Sequence, residues 1–159
     1  MKDVALKTLQ KVGLFLAVAA CSALPLGCGG SQRESEAREQ SNLKPLVILY
    51  GHCKGQNRGE PPASEAALKQ FIRSLSAGEL ARWGVTDVDS LFTSTRDGKP
   101  YVVLYGDAAK RGAAGPGSPQ VVAYEQEGVG GKRLVGSSPG DMVEEVDEAR
   151  FKELVPDAN

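Results

Sequence analysis

Ser90 to Gly106, SLFTSTRDGKPYVVLYG, is the stretch where the periodicity of the chain changes. Before it, apolar residues recur at helical spacing; from it onward they alternate with period two. SLFTS and YVVLYG read as two strands joined by TRDGKP, with Asp97-Gly98 the strongest local turn signal in the chain. Downstream, QVVAYEQ (120–126), GKRLVGSS (131–138) and DMVEEV (141–146) supply three more strands, broken at EGVGG and SPG. DAAKRGAAGPGSP (107–119) is expected to be a loop, too poor in large apolar groups to pack.

Upstream lie the helices. Asn42 is placed to cap a helix over Leu43–Gln56 whose Leu46, Leu49, Tyr50 and Cys53 share one face, with Pro45 tolerated in the first turn. Ser64 opens a second helix, with Leu68, Phe71, Ile72 and Leu75 inward and Lys69, Gln70 and Arg73 outward. Ser76 and Glu79 form a capping-box pair for a short third helix ending at Gly84, and Asp87 to Leu91 adds one turn. Asp147 caps a closing helix from Glu148 to Val155, with Phe151 and Leu154 facing in. Helices first and an antiparallel meander after them define an α+β domain over residues 42–156.

Before that domain comes VGLFLAVAACSALPLGCGGSQRESEAREQ (12–40). Lys2, Lys7 and Lys11 precede an apolar run from Val12 to Ala20 that is too short to cross a bilayer, the pattern of a secretory signal. Val18-Ala19-Ala20-Cys21 resembles the lipobox of bacterial lipoproteins, in which small residues precede a cysteine whose thiol takes a diacylglycerol. Leu26-Gly27-Cys28 is the alternative, with Pro25 where an aliphatic residue is usual. A third option is cleavage near Ala17 to Ala20 with neither cysteine acylated. The expected division is a signal peptide 1–20 (or ending at 27), a polar tether 21–41 and the domain. With Cys21 acylated, Cys28 and Cys53 are left as a possible disulfide pair; with Cys28 acylated, Cys53 is a lone thiol. Ser22 stands where an aspartate retains some lipoproteins at the inner membrane, so the outer membrane is the expected address.

Two further stretches resemble a family. NLKPLVILYGHCKGQNRGEPPAS (42–64) and VVAYEQEGVGGKRLVGSSPGDMVEEVDEARFKEL (121–154) are similar to type II secretion pseudopilin-like proteins, in the exposed half of their long helix and in their last hairpin. Pro139-Gly140 replaces the family's Asp-Gly turn, its histidine is absent there, and the Gly-Phe-Thr-Leu-x-Glu signature is missing. The resemblance implies a pilin-like domain without the assembly helix. STRDGKPYVV and the Gly59-x-Pro61-Pro62 motif also look like small uncharacterised bacterial lipoproteins.

Composition limits the functions open to the chain. A net charge of -1 and a pI near 5.9 give no reason to expect nucleic acid. His52-Cys53 is the one dyad of reactive side chains, but neighbours on a helix point about 100° apart and cannot share a hydrogen bond. Cys53 is expected in the core and His52 in solvent, and one histidine is too few for a metal or haem site. GVGGKR lacks the spacing and the Ser or Thr of a phosphate loop and reads as a hairpin turn. Asp87 and Asp89, and Glu144, Glu145, Asp147 and Glu148, match no calcium-loop spacing and read as solvated faces. Ser94, Thr95 and Asp97 fit turn chemistry better than a hydrolase triad. No catalytic residue, metal or cofactor is expected, and the chain reads as a non-enzymatic interaction or structural module, the alternatives being a pseudopilin-related secretion component or a small ligand-binding module. The membrane, through the N-terminal lipid, and an envelope protein are the expected partners, and Arg96, Lys99 and Tyr101 form a candidate recognition hairpin presenting two cations beside an aromatic strand.

Overall fold

The computed structural model describes residues 41–111 and 119–158. Cys21, Cys28, the signal and most of the tether lie outside the described residues. Among the described residues the first helix, α1, runs Leu43–Gln56; α2 is Glu65–Ser74 and α3 is Ala77–Arg82. A 3-10 turn, Ser90–Phe92, leads to β1, Tyr101–Val103. Then come α4 (Gly106–Lys110), β2 (Gln120–Glu125), β3 (Lys132–Ser138), β4 (Met142–Asp147) and α5 (Glu148–Leu154). The four strands form one antiparallel sheet in the order β1-β2-β3-β4, so the domain is α+β with a sequential meander.

The sheet is packed on both faces. Over one lies α1, whose Leu43, Leu46, Val47, Leu49 and Tyr50 join Tyr101, Val122, Ala123 and Leu134 in the larger core. Over the other, Phe151 of α5 packs on Tyr124, Val135 and Val146, with the Tyr124 and Phe151 rings edge to face at 5.1 Å. A Val, Leu or Phe side chain so buried contributes about 1.5–3 kcal/mol. The predicted α1 stripe is too narrow: Val47 and Ile48 are buried as well, because the sheet covers one side of the helix while α2 and the 3-10 turn cover the other.

The expected caps form at three helices. Ser64 Oγ accepts from the Ala67 N–H, Ser76 and Glu79 make both halves of their capping box, and Asp147 accepts from the Arg150 N–H at 2.9 Å. Asn42 differs. Its backbone is already helical and its side chain makes no cap; the amide donates instead to the carbonyls of Ser90 and Thr93, at 3.0 and 3.2 Å. The start of α1 is thereby tied to the 3-10 turn.

Two other expectations are corrected. SLFTS is not a strand: Ser90–Phe92 winds into a 3-10 turn whose Ser90 N–H donates to Asp87 Oδ2, and only Thr93 bridges Pro100. Leu91 and Phe92 are both buried in that turn. DAAKRG is not wholly loop, since Gly106–Lys110 is helical and tucks Ala109 into the core.

Candidate functional site

The region singled out for recognition folds inward. Between Ser94 and Tyr101 the chain turns on itself, with the Ser94 N–H donating to the Lys99 carbonyl, the Gly98 N–H to the Ser94 carbonyl, and Asp97 Oδ1 accepting from the Lys99 N–H. Gly98 takes φ 70°, which the turn requires. The turn lays Arg96 across the sheet. Its Nη2 meets Glu145 Oε1 of β4 at 2.7 Å and its Nε approaches Glu125 Oε1 of β2 at 3.7 Å.

Glu125 is 1% exposed. Its Oε1 accepts from Ser94 Oγ at 2.8 Å, and its Oε2 accepts from the Leu134 N–H of β3 at 2.8 Å. The register explains how these groups meet: Tyr101 pairs with Glu125 and Leu134 with Glu145, so one row of the sheet carries both carboxylates. A buried carboxylate persists only when hydrogen-bonded and charge-compensated, and this one is both. Of the two cations, Arg96 is largely covered while Lys99 stays at the surface. Arg96 is spent on the sheet, Lys99 pairs with Glu127, and Tyr101 is buried. Chemically the cluster is a clamp, since no substrate reaches a carboxylate so enclosed. Sequence reading missed Glu125 and Glu145 as its members, because only the strand register brings them to Arg96.

His52 and Cys53 diverge as their spacing dictates. His52 is exposed with its ring edge-on to Trp83 at 5.9 Å, while Cys53 is a buried free thiol whose pKa burial pushes up. Cys28, its possible disulfide partner, lies outside the described residues. The acidic groups have cations or caps of their own. Asp89 meets Lys69 and Arg73 at 3.0 and 2.9 Å and is held below the usual carboxylate range, first by the Lys69 hydrogen bond. Glu148 meets Arg133 at 3.0 Å. Among the described residues no three His, Cys, Asp or Glu side chains gather as metal ligands, and no helix is long and apolar enough to cross a membrane.

GVGGKR forms the β2–β3 turn, with Val129 and Lys132 exchanging both backbone hydrogen bonds. A Cβ on Gly128 would stand 2.0 Å from the Lys132 carbonyl oxygen, so glycine there serves the turn. Elsewhere among the described residues two grooves open. One, of about 320 Å³, lies between the end of α1 and α2 and is lined by Cys53, Pro62, Ala67 and Phe71. The other, of about 400 Å³, lies between β2 and the residues after α5, lined by Val121, Tyr124, Leu154 and Arg111.

No family model, no curated protein and no solved structure matches this chain.

Proposed function

We propose that the protein is a lipid-anchored module of the bacterial cell envelope that acts through protein contacts and catalyses no reaction. The observation that carries this reading is the order of residues at the N-terminus: three lysines, the apolar run Val12–Ala20, a small-residue approach to Cys21 or Cys28, then the polar SQRESEAREQSN. An acyl group on one cysteine and a hydrophilic spacer are what a tethered periplasmic or surface domain needs. The inward use of Arg96, Glu125 and Glu145 supports a structural role for this charged cluster.

A second reading, a pseudopilin-related component of a secretion system, draws support from the way α1 lies along a four-stranded antiparallel meander, as expected of a pilin-like head. It predicts co-purification with secretion components.

The test of the first reading is intact mass and fatty-acid labelling of the protein expressed in a bacterial host, for wild type, Cys21→Ser and Cys28→Ser. Loss of label in one single variant identifies the anchor. Absence of label from all three overturns the reading in favour of a secreted soluble domain.

A further inference from the structure

Strand β2 does not alternate regularly. Its register with β3 shifts between Val121, opposite Ser137, and Ala123, opposite Gly136, so Val122 is an extra residue. Such a bulge re-aims the side chains on either side of it. Val122 and Ala123 accordingly both enter the α1 core, while Val121 and Tyr124, three positions apart, both lie with the α5 cluster. Together these two line the groove of about 400 Å³ between β2 and the residues after α5.

The walls of this groove are held by backbone groups. On one side the Leu104 N–H donates to the Val122 carbonyl at 2.8 Å, and the Leu104 carbonyl accepts from the Tyr50 hydroxyl at 2.8 Å, which ties the wall to α1. On the other, the Val155 N–H donates to the Phe151 carbonyl at 2.9 Å and the Ala158 N–H to the Val155 carbonyl at 3.1 Å, folding Pro156 and Asp157 into a turn beyond α5. Leu104, Val121 and Leu154 supply the apolar surface. Tyr124 is 8% exposed, and its hydroxyl has no hydrogen-bond partner among the described residues. Two opposite charges, Arg111 and Asp157, complete the lining. Neither forms an ion pair among the described residues, whereas Lys110 beside Arg111 meets both Glu60 and Asp107.

We infer that this groove binds a small zwitterion with an apolar side chain, an amino acid or a short peptide with both ends free. The carboxylate answers Arg111 and the ammonium answers Asp157, each through a charge-assisted hydrogen bond. The side chain displaces water from Leu104, Val121 and Leu154, and the Tyr124 hydroxyl gains a polar partner. A ligand charged at one end only leaves one of the two charges unanswered. The volume lies within the range of small-molecule pockets, with mostly apolar walls and few polar groups. Every residue involved belongs to the domain, so the site does not depend on the proposed lipid anchor.

The test titrates the full-length protein, in detergent, with leucine and with dileucine, read by calorimetry and by NMR. Saturable binding that shifts the resonances of Val121, Tyr124 and Leu154 is the expected result, and the tighter of the two probes tells a free amino acid from a peptide. N-acetyl-leucine, which lacks the ammonium, and leucine amide, which lacks the carboxylate, are each expected to bind about tenfold more weakly than leucine. Arg111→Gln is expected to erase the advantage of leucine over leucine amide, and Asp157→Asn its advantage over N-acetyl-leucine. Ala108→Phe, which fills the groove, is expected to remove binding from a protein that still melts cooperatively. No saturable binding of either probe at millimolar concentration overturns the site. So does binding that Arg111→Gln and Asp157→Asn leave unchanged, or equal affinity for free and blocked leucine.

Discussion

Gly136 of β3 and Val47 of α1 touch so closely that a Cβ on the glycine would stand 2.3 Å from Val47 Cγ2. The helix axis is drawn to the sheet at this point, and the depth of the crossing sets how fully Leu43, Val47 and Leu134 are buried. Gly136→Ala is expected to destabilise the domain by about 1–3 kcal/mol through overpacking. Adding Val47→Ala returns part of the loss, because the two changes share one contact. Chemical denaturation of the single and double variants checks this; strict additivity would mean that the crossing does not depend on the pair.

The Arg96 clamp separates two kinds of loss. Glu125→Ala removes the acceptor for Ser94 Oγ and for the Leu134 N–H and strips Arg96 of a counter-charge, leaving buried donors without partners. The expected cost is about 3–5 kcal/mol. Glu125→Gln keeps an acceptor oxygen and the side-chain volume and is expected to cost clearly less. Equal losses in urea denaturation would show that the hydrogen bonds, and not the burial of an uncompensated site, are unimportant here.

How much of this was legible in the chain differs by element. The helices capped by Ser64, Ser76 and Asp147 were readable because each cap acts within four residues of its own side chain. The three later strands were readable because their alternation meets a core on each face. Asn42 was misread because its amide finds carbonyls 48 and 51 residues away, a relationship no local pattern carries. The same holds for Arg96, whose partners are 29 and 49 positions distant along the chain. Ser90–Phe92 was misread as strand because Leu-Phe flanked by Ser and Thr suits either state, and Asp87 decides it by capping the turn. Ala109 was passed over because a small side chain reaches the core only where α4 approaches it closely.

Arg58 follows α1 with φ 57°, and the Gly59 N–H closes back onto the Lys54 carbonyl at 2.8 Å. This left-handed position ends helices most comfortably as glycine. Arg58→Gly is expected to raise stability by up to about 1 kcal/mol, whereas Arg58→Ala leaves it unchanged or lower. Paired thermal melts decide the matter; an equal gain for both variants would point to removal of charge and not to relief of backbone conformation.

Burial pushes up the pKa of the Cys53 thiol and of the Tyr50, Tyr101 and Tyr105 hydroxyls. Each group is neutral when protonated, so the fold favours the protonated form. The stability linked to them is complete below their ordinary values, about 8.5 for cysteine and about 10 for tyrosine, and is lost as pH rises from there through the native values. Melting temperature is therefore expected to hold through neutral pH and to fall in alkali, the cysteine contributing first. Cys53→Ala removes the earlier part of that fall and leaves the tyrosine part. In the native protein Cys53 is expected to react slowly with a thiol reagent at pH 8, and denaturant is expected to accelerate the reaction. Rapid native-state labelling of Cys53, or a melting temperature that does not change up to pH 11, would contradict the burial from which these directions follow.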